Sequence, residues 1–448
     1  MELIRDATSL RVEEMSERFK KTINKVTDDV ICVVGYACGS GTVIVAPEGL
    51  VVMDTTESVD SARAVITELR RLTDKPVKAI VYMDHHPEHT YGATEFLEEA
   101  DGPVEIWAHE TFLHEVATTV ATAPRYWTRC TRQFGLNLPS EVHQFTGIGP
   151  RYCCDFGKSD VTYPIRLMKG NHQTIKVAGI VLELYFTPAE GSDAITVYYP
   201  AKDVLFAGDN FYYSFPNLYA IRGITRSPID WYKAIDKMRE LQPEHFVPTH
   251  GPPISGKQQV MEVLTNYRDG IQLIHDQTLR YMNKCWHPDE ITKVVTLPPH
   301  LAELPYLRRN YGSLPSYIKS IYCTYVGWFT GEIDDLASIA PKERAAKTIK
   351  LAGGEAAMLK AAQAAFAEGD LQWALVLVST ITKLTKDNAA ATQLRLQCLI
   401  GLSKQQTCEN ERLYYLQSAT EEAGITKDRQ YNTTMCGRMA VRVVRHVI

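Results

Sequence analysis

Between residues 77 and 93 an apolar run empties into a dense group of ionisable side chains. Val77 to Met83 reads as a buried strand, and Asp84, His85, His86, Glu88 and His89 follow it within six residues. Pro87 is expected to stop any helix from absorbing these side chains, leaving them on a loop at the strand's C-terminal end. Three imidazoles and two carboxylates offer a metal both nitrogen and oxygen donors. A solvated polar loop, or histidines satisfied by neighbouring backbone, is the alternative. A single histidine would favour that alternative; five ionisable groups after one buried strand favour a metal site.

At 448 residues the chain is too long for one compact core, so two or three domains are expected. A formal net charge of -5 leaves no basic footprint for nucleic acid. No apolar stretch approaches the length needed to cross a bilayer, and residues 1–25 mix acids and bases without the apolar core of a signal peptide. The ten cysteines contain no C-x-x-C, and the adjacent Cys153 and Cys154 suit a disulfide poorly. They read as reduced thiols in a cytoplasmic protein.

In chain order, residues 12–25 are expected to form a short amphipathic helix. Three strand-like runs follow, Ile31–Tyr36, Thr42–Val45 and Leu50–Met53, punctuated by Gly39, Gly41 and Gly49 as an antiparallel meander. Gly39-Ser40-Gly41 reads as a turn, since a phosphate loop would need a lysine and a following helix. Asp54 ends the third strand, either near the site or capping the next turn. Helical spacing of Ala62, Val65, Ile66 and Leu69, a helix near 93–99 and a strand at Val104–Ala108 then predict α/β layering. Residues 110–139 look helical and carry Arg125, Arg129 and Arg132 beside Tyr126, Trp127 and Phe134. These form a solvated basic face or one wall of an anion pocket, and the solvated face is the expectation. A second β-rich block spans Val161 to Asp209, with hairpins Ile175–Phe186 and Ile195–Phe206. Glu190 and Asp209 follow its strands, a helix covers Trp231–Leu241, and Phe246–Pro248 leads to His250. Polar clusters thus follow four apolar strands, at residues 84–89, 190, 209 and 250. Lone acids there are usually turn formers; the repetition argues for a site.

Beyond residue 255 helical periodicity dominates, with amphipathic runs at 343–368, 371–386 and 388–402 resembling tetratricopeptide-like helix pairs. Such a module mediates contacts rather than chemistry. Tyr322, Tyr325, Trp328 and Phe329 are expected to pack in a core, with a subunit interface as the alternative.

The order of a His-rich loop, a further ligand, Gly-Asp and a late His resembles the metallo-β-lactamase fold. Within that superfamily the chain looks most like the alkyl sulfatases, from about residue 30 to about residue 425. Thr187-Pro-Ala-Glu-Gly-Ser-Asp-Ala-Ile, Leu205-Phe-Ala-Gly-Asp-Asn with Pro216-Asn-Leu-Tyr-Ala-Ile-Arg-Gly, and Leu297-Pro-Pro-His-Leu-Ala-Glu-Leu-Pro-Tyr-Leu with Tyr325-Val-Gly-Trp-Phe-Thr-Gly carry the likeness. It implies an α/β fold: an αββα sandwich forming a catalytic domain over 1–255, an all-α dimerisation domain over 256–425, and a tail over 426–448.

The family's His-x-His-x-Asp-His motif falls on Asp84, His86, Glu88 and His89, with Asp84 in place of a His and Glu88 in place of an Asp. The resemblance then implies two divalent metal ions. One is held by Asp84, His86 and Glu190, the other by Glu88, His89 and His250, with Asp209 bridging. His85 falls at a variable position, as bystander or replacement donor. Zinc is the family default, while the added carboxylates favour Mn²⁺ or Fe²⁺. Arg222 matches the family's sulfate-gripping arginine, Arg226 is a second, and Asn217 and Tyr219 are further candidates for the substrate pocket. Asp209 and Arg222 are the expected catalytic residues. Alkyl sulfatases usually continue into a sterol-carrier-like domain for which this chain has no room before Ile448, which argues against long-chain alkyl sulfates. The expected protein is a homodimeric, metal-dependent hydrolase acting on a small-molecule sulfate ester, with no nucleic-acid or membrane partner. A hydrolase of another ester or thioester is the first alternative. A non-catalytic dimeric scaffold is the second, supported by the Asp84 and Glu88 substitutions and opposed by seven retained donor residues.

Overall fold

Thirteen strands among the described residues form two sheets in the computed structural model, which describes residues 4, 7–152, 161–223 and 225–425. Cys153, Cys154 and the 426–448 tail lie outside the described residues. The first sheet has seven strands in sequence order: β1 Thr22–Lys25, β2 Val30–Val34, β3 Gly41–Ala46, β4 Gly49–Met53, β5 Val77–Val81, β6 Glu105–His109 and β7 Arg166–Met168. Tight turns join β1 to β4, which pair antiparallel. From β4 to β7 the pairing is parallel. Parallel neighbours need a crossover, and the helices Val59–Leu69 and Ala93–Glu98 supply the first two.

The second sheet contains β8 His172–Val177, β9 Ile180–Phe186, β10 Ile195–Tyr199, β11 Val204–Tyr212, β12 His245–His250 and β13 Ile254–Ser255, ordered β13-β12-β11-β10-β9-β8. Its single parallel pair, β11 with β12, is bridged by the helix Pro228–Leu241.

Alternation along the strands builds the layers. Val30, Cys32, Val34 and Ile44 point into a core shared with Leu182, Leu184, Ile195, Val197 and Phe206 of the second sheet. Ile31, Val33, Val43 and Val52 face the other way, onto Ala62, Val65, Phe96 and Phe112 of the helices. β2 is buried along its whole length because both its faces are covered. On the outer side of the second sheet, Trp231 donates its indole N–H to the Asn210 carbonyl at 2.8 Å, and Phe211 packs on Tyr267 of the helix Lys257–Met282. The result is the αββα sandwich.

The chain separates into two compact units. One holds Arg11–Cys130 and Gln144–Thr324, so the helix Lys257–Met282 goes with the sheets rather than with the later helices. The other holds the described residues of Met1–Leu10, Thr131–His143 and Tyr325–Arg429. Its helices Pro341–Leu351, Glu355–Ala367, Leu371–Thr382, Ala389–Gln405 and Glu409–Glu422 stack around Met358, Ala362, Val378, Ile381 and Ala391. The run expected at 343–368 is broken by Gly353 and Gly354, whose φ of 87° and 106° ends one helix and starts the next. Arg412 is buried with Glu409, at 2.7 Å, and donates to the carbonyls of Ala7 and Val142.

Two expectations about this architecture are corrected. The helix expected over 12–25 ends at Arg18, and Thr22–Lys25 is instead the edge strand β1, its side chains alternating between half-buried and exposed. The aromatic cluster does not pack as a core: Tyr322 is buried, but Tyr325 is exposed and Trp328 is 70% exposed.

Breaking a buried ion pair strands the remaining charge. Arg412→Ala is therefore expected to destabilise the protein by about 3 kcal/mol, read as a lower urea midpoint at unchanged slope; an unchanged midpoint would remove the pair from the stabilising contacts.

Candidate metal centre

Each donor is placed by the end or irregularity of a strand. Pro87 does not leave a loop after β5. It occupies the first position of a short helix, Pro87–Thr90, where its missing N–H costs nothing, and that helix presents Glu88 and His89. Asp209 lies inside β11, not after it. The β11–β12 register slips on either side of Gly208, which has φ of 59° and whose added Cβ would come within 3.1 Å of the Met83 Cβ. This bulge aims Asp209 into the site. At Gly191 a Cβ would fall 2.6 Å from the Asp84 carboxylate, so only glycine lets the loop carrying Glu190 approach so closely.

Asp54, left open as site or cap, belongs to the site's support. Its Oδ1 accepts the Met83 N–H at 2.7 Å, and its Oδ2 lies 2.7 Å from His89 Nδ1 and accepts from Thr249 Oγ1 at 2.9 Å.

Donor atoms of Asp84, His89 and Asp209 lie within 4.8 Å of one another, as do those of Glu88, Asp209 and His250, and those of Asp84, His85 and His86. Asp209 is common to the first two groups. Its Oδ2 is 3.5 Å from His89 Nε2 and its Oδ1 is 3.2 Å from His250 Nε2. His250 Nδ1 is fixed by the Cys38 carbonyl at 3.0 Å. His86 Nδ1 lies 3.2 Å from Asp84 Oδ1 and 3.3 Å from Glu190 Oε2. Glu190 falls in none of the three groups; its Oε1 pairs with Arg226 Nη2.

These residues fit a cation site. His89 Nε2, His250 Nε2, Asp209 Oδ1 and Glu190 Oε2 are buried without a hydrogen-bond partner, although they face one another closely. Buried polar atoms are normally satisfied, and a divalent ion would satisfy these together. The electrostatics agree. Burial alone would lower the His86 pKa, but Asp84 and Glu190 outweigh it and raise it to about 9. His89 and His250 are likewise lifted against burial, by Asp54, Asp84 and Asp209 for the first and by Asp209 for the second. Burial pushes Asp209 up, yet His250 and His89 hold it well below the usual carboxylate range. The pocket holds more buried negative charge than its neutral imidazoles offset, so without a cation it draws in protons.

A cavity of about 510 Å³ adjoins the cluster, with His85, His86, Glu190, Arg222 and Arg226 in its wall. Arg222 is buried and its Nε donates to Tyr126 Oη at 3.0 Å. Arg226 is fully engaged: Nε donates to the Glu190 carbonyl at 2.7 Å, Nη1 to the Asn217 carbonyl at 2.5 Å, and Nη2 pairs with Glu190. Asn217 is buried, its amide Nδ2 without a hydrogen-bond partner, and Tyr219 Oη lies 3.5 Å from Arg129 Nη2. Neither Asn217 nor Tyr219 is part of the cavity wall, but Arg125, Tyr126 and Arg129 are. Of the 110–139 arginines expected on a solvated face, Arg125 is exposed and also reaches the cavity wall, Arg129 is half-buried in that wall, and Arg132 pairs with Glu421 at 2.8 Å. Sequence reasoning named neither Asp193 nor the supporting role of Tyr126. The clue to Tyr126 was its place between Arg125 and Arg129 on one helix.

The sandwich with histidines and carboxylates gathered at its strand ends defines a metallo-β-lactamase-type protein, and the family model for the metallo-beta-lactamase superfamily matches residues 39–250. A second model, described as alkyl sulfatase dimerisation, matches residues 287–424. A linear primary-alkylsulfatase from a Pseudomonas species is 38% identical over 388 residues, covering 85% of this chain and 73% of that protein. The alkyl/aryl-sulfatase BDS1 of Saccharomyces cerevisiae is 28% identical over 90% of this chain, which spans 64% of its length. The solved structure of the stereoselective inverting sec-alkylsulfatase Pisa1 from a Pseudomonas species superposes with a TM-score of 0.86 at 26% identity, covering 91% of this chain and 66% of that one. The chain belongs to the alkylsulfatases, sulfuric ester hydrolases of the metallo-β-lactamase superfamily.

Protein purified without chelator is expected to carry about two equivalents of divalent metal per chain, measured by plasma mass spectrometry. Asp209→Ala should lose at least one equivalent; full retention would take Asp209 out of the ligand set.

Proposed function

We propose that this chain hydrolyses a small-molecule sulfate ester bound in the 510 Å³ cavity beside the donor cluster. The observation carrying this reading is the juxtaposition itself: a buried, protonated guanidinium, Arg222, shares one cavity wall with His86 and Glu190. Asp84, His86 and Glu190 would hold one divalent ion and Glu88, His89 and His250 the other, with Asp209 between them. Zinc is proposed, and the oxygen-rich donor set would also accept Mn²⁺ or Fe²⁺. Bound there, the ions supply Lewis acidity and a nucleophile at neutral pH.

The remaining work falls to the protein's own groups. Arg222 meets the sulfate oxygens as a charged fork, and Tyr126 holds that fork in place through Nε. Arg226 adds positive charge to the same wall, but its N–H groups are spent on Glu190 and Asn217, so it chiefly fixes the position of Glu190. Asn217, with an unpartnered buried amide, and Tyr219, next to Arg129, lie outside the cavity wall and are proposed to support the substrate pocket from behind rather than to touch the substrate. Exclusion of water around the buried donors strengthens each of these interactions.

The sheets carry this chemistry, and the region of 287–424 is proposed to join two copies into a homodimer. No helix among the described residues is long and apolar enough to cross a membrane. A cytoplasmic setting is proposed from the thiols Cys32, Cys38, Cys130, Cys285, Cys323 and Cys398, none of them in a disulfide.

Sulfate release from alkyl sulfates of graded chain length, followed by ion chromatography, tests the reading. Activity is expected to vanish after chelation and return with metal. Arg222→Ala should raise KM about 10- to 100-fold, the worth of a charge-assisted contact. Turnover of carboxylic esters without any sulfate release would overturn the proposal.

A further inference from the structure

We infer that His85 is itself a metal ligand, completing a three-donor group with Asp84 and His86 at the cavity edge. The inference rests on the dinuclear reading above and extends it to a residue outside that ligand set.

The internal comparison of the site's histidines carries the argument. His89 and His250 share one construction: Nδ1 lies against a buried oxygen, and Nε2 faces the carboxylates. For His89 that oxygen is Asp54 Oδ2, an ion-pair contact at 2.7 Å, for His250 the Cys38 carbonyl at 3.0 Å. His85 repeats the first half of it. Its Nδ1 lies 2.7 Å from Oδ1 of Asp193, a carboxylate only 1% exposed. A carboxylate in that position fixes the tautomer with the proton on Nδ1 and leaves the lone pair on Nε2, the arrangement that orients metal-bound imidazoles.

The ring also lies beside the cluster. Donor atoms of Asp84, His85 and His86 lie within 4.8 Å of one another, and the His85 ring stacks on His86 with centroids 4.4 Å apart. The side chain lines the cavity rather than open solvent.

There is also a chemical need for it. The half-site of Asp84, His86 and Glu190 holds one imidazole against two carboxylates, and Glu190 has one oxygen committed to Arg226. An imidazole from His85 restores a second nitrogen donor there. A transition metal such as zinc binds such a mixed set more readily than an oxygen-dominated one. Asp193 is then a positioning residue, acting through His85.

The test titrates zinc, and cobalt as a spectroscopic probe, into metal-stripped full-length wild type, His85→Ala, His85→Gln and Asp193→Asn. Circular dichroism and thermal melting report whether each variant keeps its fold. Wild type is expected to take about two equivalents. Both His85 variants should keep one tight equivalent and lose or strongly weaken the other, and the visible cobalt bands of the weakened site should fade. Asp193→Asn should keep both sites, one of them weaker by about 10- to 100-fold. Two equivalents of unchanged affinity in folded His85→Ala would overturn the assignment and leave the dinuclear reading intact. A wild type that binds neither zinc nor cobalt would overturn both.

Discussion

The burial of four carboxylates around one point is the constraint on which the rest of this structure depends. Asp84, Glu88, Glu190 and Asp209 are each almost wholly inaccessible, and no arrangement of neutral side chains would make that tolerable. Each is compensated differently. Glu190 is clasped by Arg226, Asp84 and Asp209 lie against imidazoles, and the buried atoms that still lack partners mark where cations belong.

The sandwich meets this constraint because it brings the ends of both sheets together. Asp54 follows β4, Asp84 follows β5, His250 ends β12, and the loop between β9 and β10 delivers Glu190. Only Asp209 comes from within a strand, and there the bulge at Gly208 turns it inward. Strand interiors sealed on both faces make these ends rigid, and a rigid frame holds like charges close without relaxing apart. The acceptors behind the histidines extend the same rigidity outward: Asp54, the Cys38 carbonyl and Asp193 each fix one ring.

Much of this frame was legible in the chain. The meander of β2 to β4, the strand β5 and the hairpins of the second sheet appear as largely apolar runs separated by glycine or, between β10 and β11, by Pro200–Asp203, because covered strand faces must be apolar. The donor residues were legible too, since each follows or interrupts such a run. Misreadings came where a local rule has two outcomes. Proline forbids a helix interior but suits a helix start, and Pro87 takes the second option. Thr22–Lys25 has no strong local signal and becomes a strand by pairing with β2. The arginines at 125 and 129 look only like a solvated helix face until Arg222, Gly223, Thr225 and Arg226 are brought into the same cavity wall.

By itself, then, the sequence determined most of the strands and helices, because these follow from local periodicity, and it marked the ionisable residues at strand ends as candidate donors, while the sandwich was implied by the likeness to a known family. The tertiary structure alone decided which candidate donors face one another, that Asp54 and Asp193 stand behind histidines, that Arg226 is spent on Glu190, and that Arg125 and Arg129 line a cavity. Several of those relations join residues far apart in the chain, 36 positions for Arg226 and Glu190 and 108 for His85 and Asp193. Their geometry is set by sheet register, a single-residue bulge and close backbone approach, which leave no periodic trace in the chain.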